Sequence, residues 1–139
     1  MMTEVKTVYE GRLECINIHG PSESLCITDA PVDNNGRGRS FSPTDLLATA
    51  LGSCMATIMG IVADRKNIDI KGMTITVGKH MSDNTPRRVA RLDVRIEMPL
   101  PEKHPDRKVF ESAALSCPVH QSIHEDIEVP IEWCWQAGE

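Results

Sequence analysis

Ser42-Pro43-Thr44-Asp45-Leu46-Leu47-Ala48-Thr49-Ala50-Leu51-Gly52-Ser53-Cys54-Met55-Ala56-Thr57-Ile58-Met59-Gly60-Ile61-Val62-Ala63 is the stretch around which the rest of this chain must fold. Ser42 is a good N-cap, Pro43 suits the first helical position, and Asp45 completes an S-x-x-D variant of the capping box. The helix predicted from there runs to about Lys66, where Asn67 can stop it, and would extend about 36 Å. No charge occurs between Leu46 and Ala63. Eighteen uncharged residues reach the lower edge of a membrane span. Ala48, Thr49, Ala50, Gly52, Ser53, Ala56, Thr57, Gly60 and Ala63 are small or weakly polar, however, and favour a core helix buried all round. Ala48, Gly52, Ala56 and Gly60 recur every fourth residue, a shallow ridge on which another helix can lie close. Cys54 falls nearly opposite that ridge, beside Leu47, Ile58 and Ile61.

On either side the pattern reads as strands and short helices. Val5–Tyr9, Arg12–Ile18 and Ser24–Thr28 precede a polar, glycine-rich loop over residues 30–40. Met73–Met81 and Val89–Met98 flank a turn at residues 82–86 and form a hairpin. Asp106–Ser116 is amphipathic, with Val109, Phe110, Ala113, Ala114 and then Cys117 on its apolar face. Pro118 interrupts it and can open a second short helix through about Glu125. Ile127, Val129, Ile131, Trp133 and Trp135 alternate with polar residues, a strand buried on one face. This order predicts an α+β fold, a single domain over 1–139 with a mostly antiparallel sheet around the long helix. One short sheet cannot cover such a helix, so a second copy is expected to, in an obligate dimer.

The 139 residues are 40% hydrophobic and 25% charged, with a formal net charge of −5. That is a globular composition for one domain. No Lys/Arg run supplies the phosphate-neutralising term, and aromatics are only 4%, so no nucleic-acid partner is expected. Nothing marks the chain for export, and neither a membrane partner nor a location outside the cytoplasm is expected. The five cysteines, Cys15, Cys26, Cys54, Cys117 and Cys134, are odd in number and scattered, which argues against a disulfide scaffold. Cys15, Cys26 and Cys134 read as structural strand residues.

Cys54 lies too far inside its helix to gain from the N-terminus, and apolar surroundings alone would leave it inert. Cys117 directly precedes Pro118 at a predicted N-cap, where unpaired N–H groups and His120 would favour a thiolate. Cys117-x-x-His120-x-x-x-His124 also invites a metal reading. With only three local ligands, no metal site is expected. Arg37 and Arg39, just before the long helix, are placed to help line an anionic or polar site.

Phe41-Ser42-Pro43-Thr44-Asp45-Leu46-Leu47-Ala48-Thr49-Ala50-Leu51-Gly52-Ser53-Cys54-Met55, followed by Ser116-Cys117-Pro118-Val119-His120, closely resembles the OsmC/Ohr family of osmotically induced protein C and organic hydroperoxide resistance protein. The resemblance covers nearly the whole chain. It implies an OsmC-like fold, in an intertwined homodimer whose long helices cross in the middle, with active sites at the subunit interface. It implies further that Cys54 attacks an organic hydroperoxide, that Cys117 resolves the product, and that Arg12, in Gly11-Arg12, stabilises the thiolate. An external dithiol would restore the enzyme, with no cofactor. Family peroxidases usually carry an acidic residue right after the Ser/Asn-Pro. Here Thr44 stands there, with Asp45 rotated about 100° from that direction. The pattern is nearer to the broad OsmC-like group than to dedicated hydroperoxide reductases. A binding protein with an apolar interface pocket and no turnover is the alternative. On one point residues and resemblance disagree: helix-end electrostatics make Cys117 the more acidic thiol, whereas the family gives first attack to Cys54.

Overall fold

Proline, glycine and asparagine punctuate the chain where its elements begin and end. The computed structural model describes residues 1–137, which fall into two compact units divided between Leu47 and Ala48.

In the first unit, β1 (Val5–Gly11), β2 (Glu14–His19) and β3 (Leu25–Asp29) form an antiparallel sheet in sequential order. Gly11 pairs with Glu14, so Arg12 and Leu13 alone make the β1–β2 turn. Both have positive φ, 56° and 66°, the pairing that a two-residue hairpin turn demands and that non-glycine residues adopt at a cost. One sheet face gathers Val8, Ile16, Ile18, Leu25 and Ile27 by register. On that face Leu25 is 65% exposed and Ile27 46%. In the glycine-rich loop, Gly36 is obligatory: a Cβ there would lie 1.7 Å from the Ala30 carbonyl oxygen.

The capping box forms as the sequence indicates. Ser42 Oγ accepts from the Asp45 N–H (3.1 Å), and the Ser42 N–H donates to Asp45 Oδ2 (2.9 Å). Helix α1 (Pro43–Arg65) follows. It closes on Asn67, left-handed at φ 55°, with Ile68 N–H donating to Ala63 O and Asn67 N–H to Asp64 O. This double bond past a left-handed residue satisfies the last carbonyls.

The second unit holds most of α1, β4 (Thr74–Met81), β5 (Val89–Pro101), α2 (Arg107–Leu115), α3 (Pro118–Ser122) and β6 (Ile131–Gln136). β4 and β5 pair antiparallel, but β6 lies parallel to β5. Strands joined through intervening helices can run the same way, and α2 and α3 provide that crossover. The fold is therefore α+β with two three-stranded sheets in place of the single sheet expected. Leu51, Met55, Met59, Leu92, Ile96 and Phe110 are fully buried. Trp133 and Trp135 share one face of β6 with rings stacked 5.6 Å apart.

Helix α1 is not buried all round in this chain. Its buried stripe is Ala48, Leu51, Met55, Met59 and Ala63, while Thr49, Ser53, Thr57 and Ile61 are exposed. On the small-residue ridge, a Cβ at Gly52 would come within 3.3 Å of Val77 Cγ2 on β4, whereas one at Gly60 would meet nothing within 4 Å. Val109, placed on the apolar face of α2, is 40% exposed, and α3 ends at Ser122, short of Glu125. Replacing the Ser42 hydroxyl should remove one cap bond: Ser42→Ala is expected to lower the unfolding free energy by about 1 kcal/mol in urea titration, and an unchanged midpoint would contradict the cap assignment.

Candidate active site

Three consecutive choices of residue build the site. Cys117 is extended (φ −63°, ψ 140°) because Pro118 disfavours a helical conformation in the residue before it. Pro118 then starts α3, with Cys117 as its N-cap. The Cys117 sulfur accepts the His120 N–H at 3.3 Å. The next free N–H, that of Val119, donates to Cys54 Sγ at 3.5 Å, across 65 residues of sequence. Cys54 stands near enough to Cys117 to bear on its protonation. Both thiols are free. Cys54 is half-buried on α1, and Cys117 is fully buried. Lys66 Nζ lies 3.3 Å from Asp106 Oδ1, tying the end of α1 to the residue that precedes α2.

Burial pushes the Cys117 thiol above its ordinary range, the neighbouring Cys54 adds to that rise, and the His120 and Val119 N–H groups oppose it. Helix-end donors do not make Cys117 the acidic thiol, because desolvation outweighs two backbone hydrogen bonds. His120 also acts otherwise than the sequence suggests: its backbone N–H, not its imidazole, reaches the sulfur, and its Nδ1 is buried without a partner among the described residues. His124 Nδ1 accepts the Asp126 N–H at 3.0 Å. Among the described residues no group of three or more His, Cys, Asp or Glu could hold a metal ion.

The other candidates belong to other elements of the chain. Arg12 occupies the exposed tip of the β1–β2 turn in the first unit. Arg37 is committed to Glu14 through an ion pair of 3.5 Å. Arg39 offers its backbone N–H to Asp29 Oδ2 at 3.1 Å. Phe110, on the apolar face of α2, is fully buried in the core. Cys134 lies opposite the tryptophan face of β6, with its Sγ 3.9 Å from Glu132 Oε1. The Val119 N–H is a site donor that no side-chain pattern announces. Its only sequence signal is its position just after Cys117-Pro118.

A small α+β protein with two sheets and two free thiols served by neighbouring backbone N–H groups is the class these observations define. The family model described as OsmC-like protein matches residues 36–132, and the chain belongs to that family. A crystal structure from Psychrobacter arcticus 273-4, of a protein named for osmotic stress induction and a detoxification response, is 47% identical, with 96% of each chain covered and a TM-score of 0.89. An OsmC-like protein from Mycoplasma pneumoniae (17% identity, 97% of each chain, TM-score 0.79) shares the fold. So does an organic hydroperoxide resistance protein from Elizabethkingia anophelis (15% identity, 98% of this chain and 97% of that one, TM-score 0.78). No curated protein sequence matches the chain. Helix α1 is long and apolar enough to cross a membrane, with a mean hydropathy of 2.0. Coverage of 96% leaves no room to exclude a 23-residue helix from the shared fold.

The raised Cys117 thiol has a measurable consequence. In peptide-resolved iodoacetamide labelling, Cys117 should react more slowly than Cys54 at neutral pH, and its pH midpoint should fall in Cys54→Ala. Since burial remains in that variant, the midpoint should still exceed that of an ordinary thiol. Equal labelling of both cysteines would contradict the assignment.

Proposed function

We propose that this chain is a thiol-dependent peroxidase that reduces organic hydroperoxides through Cys54 and Cys117. One observation carries it: two free thiols, Cys54 and Cys117, are each reached by one of two consecutive backbone N–H groups at the start of α3. The Cys54 thiolate attacks one peroxide oxygen, the O–O bond breaks, and the alkoxide leaves with a proton as an alcohol. Cys54 is then a sulfenic acid. Cys117 attacks its sulfur and forms the S–S bond, and hydroxide leaves with the Cys117 proton as water. A Cys117 that keeps its proton at neutral pH suits this second role, because it does not compete for peroxide. An external dithiol, oxidised in turn, returns both thiols. No cofactor enters any step.

Arg12, of this or a partner chain, is assigned to stabilise the Cys54 thiolate. In support, the Arg12 guanidinium makes no hydrogen bond or ion pair with a described residue. Its turn also holds two strained residues, a cost that folds keep at working sites. The open face of Val8, Ile16, Ile18, Leu25 and Ile27 supports a homodimer, since an apolar sheet face of this kind calls for a cover. A cytoplasmic location fits a chemistry that needs reduced thiols. A binding role is favoured by a cavity of about 400 Å³ lined by His120, Ile123, Ile127 and Val129 among others.

Cumene hydroperoxide should be consumed in the presence of a dithiol by the wild type. In Cys54→Ser the rate should fall at least about a hundredfold, as loss of the attacking group implies. A sulfenic-acid probe should label Cys54 in Cys117→Ser. Negligible consumption by wild type and Cys54→Ser alike would leave the binding role, and labelling of Cys117 in Cys54→Ser alone would reverse the two cysteines. In size-exclusion chromatography with light scattering, the wild type should have twice the chain mass, and Ile27→Asp should shift it towards the monomer. A wild-type monomer would refute the dimer.

A further inference from the structure

The end of β3 carries a carboxylate that is held on one side only. Asp29 is 1% exposed. Its Oδ2 accepts the Arg39 N–H at 3.1 Å, while Oδ1 is buried with no partner among the described residues. Glu14 stands directly across from it on β2, so two carboxylates share one side of the sheet. Opposed like charges on neighbouring strands repel, and a buried carboxylate oxygen with no donor is costly. Arg37 answers Glu14 at 3.5 Å. Among the described residues nothing answers Asp29 Oδ1.

Two guanidinium groups of the same unit have no partner among the described residues, those of Arg12 and Arg39. Arg39 already meets Asp29 through its own backbone, and its side chain would have to fold back on that bond. Arg12 stands in the two-residue turn that leads into Glu14. That turn is tied to the residue after Asp29, since the Ala30 N–H donates to Leu13 O at 3.1 Å. An exposed guanidinium in the turn and an unsatisfied carboxylate oxygen one residue before the turn's backbone tie are complementary in charge.

We propose that Asp29 is the positioning residue for Arg12: Oδ1 accepts an N–H of its guanidinium and fixes where that cation points. The contact stands on the buried carboxylate alone. What Arg12 then does for Cys54 rests on the function proposed above.

A double-mutant cycle of Arg12→Gln, Asp29→Asn and the double variant tests it on the full chain, with Arg39→Gln as control. Asparagine keeps an acceptor for the Arg39 N–H. In urea, the losses from Arg12→Gln and Asp29→Asn should not add: the double variant should be about as stable as Asp29→Asn, whereas Arg39→Gln should add independently. Strict additivity of Arg12 and Asp29, or coupling to Arg39 instead, overturns the proposal. Arg12 is exposed, so Arg12→Gln folds whatever Asp29→Asn does. It should lower the urea midpoint, Arg12→Lys should recover part of the loss, and no loss in Arg12→Gln also overturns the proposal. Iodoacetamide labelling of Cys54, read on its peptide at neutral pH, separates the two levels. Each single variant should slow it about tenfold, the double variant no further, and Asp29→Glu should recover part of the rate. Coupling in urea with unchanged Cys54 labelling would keep the Asp29 contact and remove only the role assigned to Arg12.

Discussion

Pro118 sets the geometry on which the site depends. It ends the run of α2, fixes Cys117 in an extended conformation and restarts the chain as α3. The first N–H groups of α3 then have no partners of their own. Two of them, those of Val119 and His120, take Cys54 and Cys117 as acceptors. A continuous helix through residue 118 would spend these donors on its own carbonyls.

The chemistry follows from a competition that magnitudes decide. Two neutral backbone donors favour a thiolate at Cys117, yet full burial and a neighbouring thiol outweigh them, and the thiol is pushed up. Cys54, on the middle of a helix and only half-buried, is the more accessible of the pair. Sequence shows the donors at Cys117 and hides its desolvation. Burial, together with the neighbouring thiol, therefore sets Cys117 apart from an ordinary cysteine.

Much of this was legible in the residues. Ser42, Pro43 and Asp45 marked the start of α1, and Asn67 marked its stop, because capping is local chemistry. Cys117-Pro118 announced an N-cap for the same reason. Tertiary choices were not legible. Nothing in the alternation of Ile127 to Trp135 said that β6 runs parallel to β5, since period two is common to both pairings. The uncharged α1 suggested burial on every side, but a single chain covers only the Leu51–Met55–Met59 stripe. That Val119 would serve the site was hidden because the group involved is backbone, and Asp29 was hidden because its burial depends on how β3 and its loop pack.

The central claim is that Cys54 and Cys117 form one redox pair. The most direct measurement is peptide mapping under non-reducing conditions after one equivalent of cumene hydroperoxide is added to the fully reduced chain. The account predicts a single linked product that joins the Cys54 and Cys117 peptides, two hydrogens lighter than their sum, with Cys15, Cys26 and Cys134 still free. A bond to any of those three, or Cys54 and Cys117 both recovered as free thiols, would contradict it.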